Sequence, residues 1–241
     1  MLDGVKEEKL KDMVATPIAY NKNRANEVYE NAFLRGFEYI LGTGGMAEGD
    51  ILEFGTFTGF SAHVIAKLMK WCRYSGHLWL YDSFEGLPNS DAFCDKNCYL
   101  NANLGKWREG SMKLPMGFEN YIADSLEEII PRESFTIVKG FFDRIEDSQL
   151  TKNKVSLVHL DCDLYSSTKC VLEKLISKDL LQDGTVLYCD DYNTNRSNPL
   201  MGQRRALKEI FNERDRFYCS EFFSYGWHAK AFFIHDREAA V

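Results

Sequence analysis

The sequence lacks any long apolar run: no hydrophobic stretch approaches the roughly 18–20 residues that a membrane-spanning helix needs. Its first residues, MLDGVKEEKLKDM, lack the apolar core of a secretion signal. Basic clusters are also scarce, and the net charge is −7. Because neutralising phosphates requires a basic surface, this charge argues against nucleic acid as a partner. We therefore expect a cytoplasmic protein that binds neither membranes nor nucleic acid.

Cysteine is present but without a pattern. The seven cysteines have no regular spacing, and Cys94 and Cys98 form the only close pair. No second pair of Cys or His residues completes a zinc-binding pattern. Buried or free thiols in a reducing cytosol are the interpretation that this count favours.

What the sequence does contain is an alternation of apolar strands and amphipathic helices. With 241 residues, 45% of them hydrophobic, the chain suits a single α/β domain over 1–241, with a helical segment at 1–45. The predicted strands are 50–54, 78–81, 135–139, 155–160 and 185–189, followed by a closing hairpin at 217–236. The predicted helices are 23–41, 61–70, 121–130, 143–150, 167–178 and 203–214. This order predicts a doubly wound, mostly parallel sheet with one reversed strand.

One stretch interrupts the alternation. Residues 89–120 are rich in Asn, Gly, Cys and aromatic residues and show no clean period. Loops of this length within a compact domain usually serve as lids or binding loops. We therefore predict that 89–120 is an inserted lid over the active site.

The first strand leads into a glycine-containing turn that opens a helix. Gly55 and Gly59 allow a ligand close to the backbone, and Ser61 with free N–H groups at the helix start can hold a carboxylate. Phe57 occupies the place of the middle glycine in a G-x-G-x-x-G motif, which disfavours a pyrophosphate-bearing dinucleotide. The turn fits S-adenosylmethionine; a tight turn without a ligand is the alternative interpretation.

Acidic residues follow three of the predicted strands. Asp82 ends the second strand, where nucleoside-binding folds place the acid that binds ribose hydroxyls. Asp161 follows the fourth strand, and Asp190 and Asp191 follow the fifth. Strand ends of this kind meet at one edge of the sheet, and carboxylates gathered there repel one another unless a cation lies between them. Oxygen ligands predict magnesium, with calcium or manganese as alternatives.

Two neighbours of these acids allow more than one interpretation. Asp163 competes with Asp161 as a metal ligand; we favour Asp161, which is closer to the strand end, and expect Asp163 to hold the loop by hydrogen bonds. His159 lies two residues before Asp161. It is either a core residue that supports the acids or a general base. In the terminal hairpin, His228 and His235 show no interpretable pattern.

Four segments carry a resemblance to a known family: ILEFGTFTGFSAHVIA, YDSFEGLP, HLDCDLYSST and CDDY. Together they resemble the macrocin O-methyltransferase (TylF/MycF-type) family of S-adenosylmethionine-dependent enzymes over roughly residues 25–236. The resemblance implies a seven-stranded, Rossmann-like class I methyltransferase fold, magnesium dependence and methyl transfer to a hydroxyl. Because family members methylate sugars on antibiotics, it also implies a glycosyl hydroxyl as the default small-molecule acceptor.

The resemblance also assigns residues. The family's metal ligands carry over onto Asp161, Asp190 and Asp191, and Asp161 matches the presumed general base, with His159 as the alternative. The predicted cofactor-binding residues are Glu53, Gly55, Thr56, Phe57, Gly59, Ser61, Asp82, Ser83, Gly140, Phe141 and Phe142. Leu164 stands where catechol-type enzymes have a lysine base, so the catechol mechanism is not supported.

Three alternatives remain open at this point. A nicotinamide oxidoreductase is disfavoured by the absent middle glycine. A non-catalytic protein that senses S-adenosylmethionine is disfavoured because all three metal acids are retained. A methyltransferase acting on an acceptor other than a sugar agrees with the sequence equally well. The sequence also leaves open whether the chain forms a homo-oligomer.

Overall fold

A computed structural model describes residues 22–43, 49–99, 105, 107–211 and 215–239. Its strands are β1 (Asp50–Phe54), β2 (Leu78–Asp82), β3 (Phe135–Lys139), β4 (Val155–Leu160), β5 (Val186–Cys189), β6 (Phe217–Tyr225) and β7 (Ala229–Asp236). Its α-helices are α1 (Lys22–Gly42), α2 (Phe60–Cys72), α3 (Phe93–Lys96), α4 (Phe118–Glu127), α5 (Tyr165–Ser177) and α6 (Gly202–Ile210). Parts of three predicted segments, 1–45, 89–120 and 203–214, lie outside the described residues.

The seven strands form one sheet in the order β3-β2-β1-β4-β5-β7-β6. Neighbouring strands from β3 to β5 are parallel, whereas β7 is antiparallel to both β5 and β6. The predicted fold class, a mostly parallel seven-stranded sheet closed by an antiparallel hairpin, is therefore confirmed.

Helices cover both faces of this sheet. Every residue of β1, β4 and β5 is buried, as expected for central strands covered on both sides. On one face, Phe33 and Phe37 of α1 join the same apolar cluster as Ile65 of α2. On the other face, Leu172 of α5 packs in a cluster with Leu207 of α6. No helix among the described residues is long and apolar enough to cross a membrane.

Two predicted elements differ from the structure. The predicted helix 143–150 is instead two short 3-10 turns, Phe142–Arg144 and Asp147–Gln149. The backbone is extended at Ile145 (ψ 121°) and at Leu150 (ψ 155°), so each turn ends there, and the capping box between Glu146 and Gln149 marks the start of the second turn. The helix predicted at 121–130 begins earlier, at Phe118, and thus takes up the end of the predicted insertion.

The carboxyl ends of the strands meet at one edge, as predicted. The backbone ladder continues one residue past several strands: Gly55 N–H donates to Tyr81, and Asp161 N–H donates to Phe54, both at 2.9 Å. Likewise Asp190 N–H donates to the carbonyl of Leu160 at 2.9 Å. The sheet itself therefore sets the positions of the glycine turn and the acids.

Candidate functional site

A cavity of about 1430 Å³ opens at this carboxyl edge. Most of the predicted site residues line it: Gly55, Thr56, Phe57, Ser61, Asp82, Ser83, Gly140, Phe141, Phe142, Asp161, Asp190 and Asp191. Three predicted residues, Glu53, Gly59 and His159, are not among the residues that line it. The structure thus brings together groups from four strand ends, and their binding of a ligand stays a prediction.

The turn after β1 is built directly against the acid-bearing strand β4. Gly55 has a φ of +97°, and a Cβ at this position would lie 1.8 Å from the carbonyl oxygen of Asp161. Only glycine fits such an approach. The Asp82 carboxylate accepts hydrogen bonds from the backbone N–H groups of Phe57 at 2.7 Å and Phe84 at 2.6 Å. Asp82 therefore links the turns after β1 and β2, and burial raises the pKa of its carboxyl although these N–H groups favour the charged form.

Two of the predicted cofactor residues have supporting positions instead. Gly59 is the residue before α2, with a φ of +84°, and a Cβ there would lie 3.1 Å from the side chain of Ile122. Glu53 is fully buried in β1, and its Oε2 lies 3.2 Å from Nδ1 of His159. Neither residue lines the cavity, so the geometry does not support direct contact with a cofactor.

Four carboxylates, Asp161, Asp163, Asp190 and Asp191, line the cavity together; we call them the acid cluster. Burial raises the pKa of Asp161, Asp163 and Asp191 well above the usual range, and repulsion from neighbouring carboxylates adds to this effect. The backbone N–H of Asp163, rather than its side chain, contributes a hydrogen bond that favours charged Asp191. Without a cation, the cluster therefore disfavours the charged form of most of its carboxyl groups.

Asp190 differs from the other members because a tyrosine hydroxyl and two imidazole rings lie close to it. Tyr29 donates a hydrogen bond to Asp190 Oδ1 at 2.7 Å. His228 Nδ1 lies 3.5 Å from Asp190 Oδ2. Although burial alone would raise it, the pKa of Asp190 is held below the usual range by His159, His228 and Tyr29. Asp190 is therefore the member of the cluster whose charged form is favoured most.

The predicted magnesium ligands are not a preformed ligand set. Within the described ranges, no group of three or more His, Cys, Asp or Glu side chains is arranged to hold a metal ion. Their chemistry nevertheless fits a divalent cation. Among these residues, Asp191 Oδ2 is buried without a hydrogen-bond partner. Burial, and then repulsion from neighbouring carboxylates, raises the pKa of Asp161 and of Asp191. A cation would satisfy the orphaned oxygen and relieve the repulsion.

His159 lies behind the acid cluster and is 0% exposed. Its Nδ1 contacts Glu53, and its Nε2 lies 4.0 Å from Asp190 Oδ1, an ion-pair distance beyond hydrogen-bond range. Burial disfavours the imidazolium, but Asp190 and Glu53 favour it and raise the pKa of His159 to about 10. Because His159 is fully buried and does not line the cavity, its ring nitrogens are not exposed to a substrate hydroxyl there. The structure therefore supports the core interpretation of His159 and not its role as a general base.

The sequence interpretation missed several residues of the site. Tyr29 reaches the cavity from α1, and His228 reaches it from the turn between β6 and β7. Gln203 of α6 is fully buried; its Oε1 accepts a hydrogen bond from Asp191 N–H at 2.9 Å, and its Nε2 donates to Leu160 at 3.0 Å. The predicted terminal hairpin could have identified His228. Its first strand, β6, runs in the same direction as β5, so the turn after β6 lies at the carboxyl edge beside the acids.

The predicted lid is anchored beside the acid cluster. Asp95 of α3 accepts hydrogen bonds from the N–H groups of Tyr165 at 2.8 Å and Ser166 at 3.2 Å, at the start of α5. Leu164, the residue before that helix, provides no side-chain cap, so Asp95 fulfils this role from the insertion. Residues of the same insertion, including Trp107 and Met112, line the cavity.

Known proteins similar to this chain are methyltransferases. A family model described as macrocin-O-methyltransferase (TylF) matches residues 43–215. A curated protein of Streptomyces olivaceus, 8-demethyl-8-(2,3-dimethoxy-alpha-L-rhamnosyl)-tetracenomycin-C 4'-O-methyltransferase, is 28% identical over 160 residues. The match covers 64% of this chain and 56% of that protein, so the chain spans little more than half the length of this relative.

Solved structures show the same fold. The calicheamicin methyltransferase CalS11 has a TM-score of 0.67 and 18% identity, over 96% of this chain and 91% of its own. The O-methyltransferase NovP has a TM-score of 0.65 and 16% identity, over 87% of this chain and 80% of its own. At these identities the likeness shows a shared fold.

Proposed function

Because the chain belongs to the macrocin-O-methyltransferase (TylF) family, we propose that it transfers the methyl group of S-adenosylmethionine to a hydroxyl of a small-molecule acceptor. The default acceptor is a sugar hydroxyl of a glycosylated natural product. The observation that carries this proposal is the shared cavity: the glycine turn with Asp82 lies beside the acid cluster in one continuous space. The name of the Streptomyces olivaceus relative, a 4'-O-methyltransferase of a rhamnosyl tetracenomycin, supports the choice of a sugar.

The donor would occupy the part of the cavity formed by the ends of β1, β2 and β3. Asp82 would bind the ribose hydroxyls, and Phe141 and Phe142 line the same cavity. Thr56 Oγ1 is buried without a hydrogen-bond partner among the described residues, which leaves it available to a polar group of a ligand. At Gly140 no heavy atom lies within 4 Å of where a Cβ would stand, so the cavity is open there.

When bound, S-adenosylmethionine supplies an electrophilic methyl group on a sulfonium sulfur. Asp161 would accept the acceptor's hydroxyl proton as the new O–C bond forms and the C–S bond breaks, with the electron pair of the C–S bond left on sulfur. The close packing of Gly55 on the Asp161 backbone holds the donor turn and this base in a fixed relation. Such positioning can account for several kcal/mol of the barrier.

The proposal includes a divalent cation, by default Mg²⁺, held by Asp161, Asp190 and Asp191. It would lower the pKa of the acceptor hydroxyl and neutralise the acid cluster. Support comes from the orphaned Asp191 oxygen and from the mutual repulsion of the carboxylates. The hydrogen bond from Tyr29 and the contact with His228 would keep the Asp190 carboxylate ionised and oriented for this role.

The decisive experiment is incubation of the protein with methyl-labelled S-adenosylmethionine, MgCl₂ and a panel of deoxyhexosides and phenols. We expect a labelled product in which one hydroxyl has become a methyl ether, detected by mass spectrometry. Binding of S-adenosylhomocysteine is measured separately by calorimetry. Binding without product from any acceptor would favour a non-catalytic binding protein, and absence of binding would overturn the proposal.

A further inference from the structure

The strand order divides the cavity into two halves. Strands β3, β2 and β1 lie on one side of β4, and β5, β7 and β6 lie on the other. The cofactor positions Asp82 and Gly55 follow β2 and β1, so they belong to the first half. Neighbouring strands are roughly 4.8 Å apart, so the second half extends roughly 14 Å from Asp161 to the end of β6. This second half is left for the acceptor.

The turn between β6 and β7 stands at the far end of that second half. Because β7 is antiparallel to β5 and to β6, the turn after Tyr225 lies at the same edge as the acid cluster. Trp227 in this turn lines the cavity, yet it is 73% exposed. Its ring lies 5.1 Å from that of His228 at an interplanar angle of 75°. His228 Nδ1 is in turn 2.6 Å from the carbonyl oxygen of Asp190, so the indole is held at a defined place beside the cluster.

Other exposed apolar side chains line the cavity as well, one of them in the donor half after β1. Phe57 is 39% exposed and Met112 is 41% exposed, and both line the cavity. Uncovered apolar side chains inside a cavity are typical of ligand-binding sites. The cavity, about 1430 Å³, also exceeds the roughly 300–1,000 Å³ of ordinary small-molecule sites. This volume includes the donor half, so the cavity has room for S-adenosylmethionine and an acceptor side by side.

We propose that Trp227 is a specificity-determining residue that stacks on a planar, apolar aglycone of a glycoside acceptor. This inference rests on the proposed function. With the reacting sugar hydroxyl at Asp161 and the nucleoside beside β1 and β2, the rest of the acceptor extends towards β7 and meets the indole. A flat apolar group presents the surface that an exposed indole face binds best, by offset stacking. The contact with His228 fixes the direction of that face.

The test compares two sugars that differ only in their aglycone. Binding of p-nitrophenyl α-L-rhamnopyranoside and of methyl α-L-rhamnopyranoside is measured by calorimetry on protein saturated with S-adenosylhomocysteine and Mg²⁺. The variants are Trp227→Ala, Trp227→Phe and, as a matched control, Trp71→Ala. Trp71 is equally exposed at 71% but lies on α2 and does not line the cavity.

For the aryl glycoside we expect Trp227→Ala to raise Kd by about fivefold or more, and Trp227→Phe by about twofold. The methyl glycoside should bind equally to all variants, and Trp71→Ala should match the wild type. Unchanged aryl binding in Trp227→Ala overturns the inference, as does equal weakening for both sugars. So does a wild-type protein that binds S-adenosylhomocysteine but not the aryl glycoside.

Binding of S-adenosylhomocysteine to each variant is measured first and separates the two proposals. If the wild-type protein does not bind S-adenosylhomocysteine, the proposed function itself is wrong. If only Trp227→Ala fails to bind S-adenosylhomocysteine, the turn has misfolded in that variant. Trp227→Phe, which keeps an aromatic ring, then tests the stacking through its preference for the aryl glycoside over the methyl glycoside. A preference within about twofold of that of the wild-type protein supports stacking by an aromatic ring at this position. Loss of that preference, with S-adenosylhomocysteine binding intact, overturns it.

Discussion

Buried aspartates occur at both ends of the parallel strands, but they differ in how many hydrogen-bond donors surround them. At the amino edge, Asp50 is 2% exposed and accepts hydrogen bonds from His77 N–H and Trp79 Nε1, both at 3.0 Å, and from Thr151 Oγ1 at 2.5 Å. At the carboxyl edge, the acid cluster holds carboxylates that repel one another. A buried carboxylate with enough hydrogen-bond donors is stabilised by the fold, whereas buried carboxylates that repel one another are candidates for a functional site.

The largest expected effect comes from the acid cluster. Asp161→Asn keeps the shape of the side chain but removes the base, so turnover should fall by at least about 100-fold. S-adenosylhomocysteine should bind as before, and the melting temperature should not fall, because a repelling charge has been removed. Product formation, calorimetry and thermal melting check the three outcomes, with Asp124→Asn on the exposed side of α4 as control. Full activity in the Asp161 variant would refute its assignment as base.

Removing divalent cations tests the same cluster without a mutation. Excess EDTA should lower turnover by about 100-fold, since a metal contributes several kcal/mol to the barrier, and added Mg²⁺ should restore it. Initial rates of methylation before and after chelation measure this effect. Activity that persists in EDTA would show that the carboxylates act without a metal.

The amino edge should respond in stability and not in catalysis. Asp50→Ala leaves the N–H of His77 and the indole N–H of Trp79 without their acceptor, so the free energy of unfolding should fall by about 2–4 kcal/mol. Chemical denaturation measures this change. The folded variant should keep its turnover, and a selective loss of activity at unchanged stability would mean that the contrast between the two edges is wrong.

The donor half of the carboxyl edge should show a smaller effect on binding. Asp82→Ala removes the acceptor that links Phe57 and Phe84, so affinity for S-adenosylhomocysteine should fall by about tenfold. Calorimetry with Asp143→Ala, a neighbouring carboxylate of the same cavity, serves as the comparison. Equal losses in both variants would indicate a general charge effect and not a specific contact.

Local patterns predicted most of the fold correctly. Strands β3 and β4 have the predicted bounds because buried strands appear as continuous apolar runs. The predicted helix 143–150 was wrong because the backbone turns extended at Ile145 and at Leu150, and both of these side chains are buried in the core. Position along the strands also placed Asp82, Asp161, Asp190 and Asp191 at one cavity.

The order of strands and helices, and the placing of acids at the carboxyl ends of strands, could be inferred from the sequence alone, because both depend on patterns within a few neighbouring residues. Which acid has partners was decided only by tertiary structure. Tyr29 reaches Asp190 across 161 positions, and His228 reaches it across 38. Neutralisation of a buried charge depends on such distant contacts, and no local pattern records them.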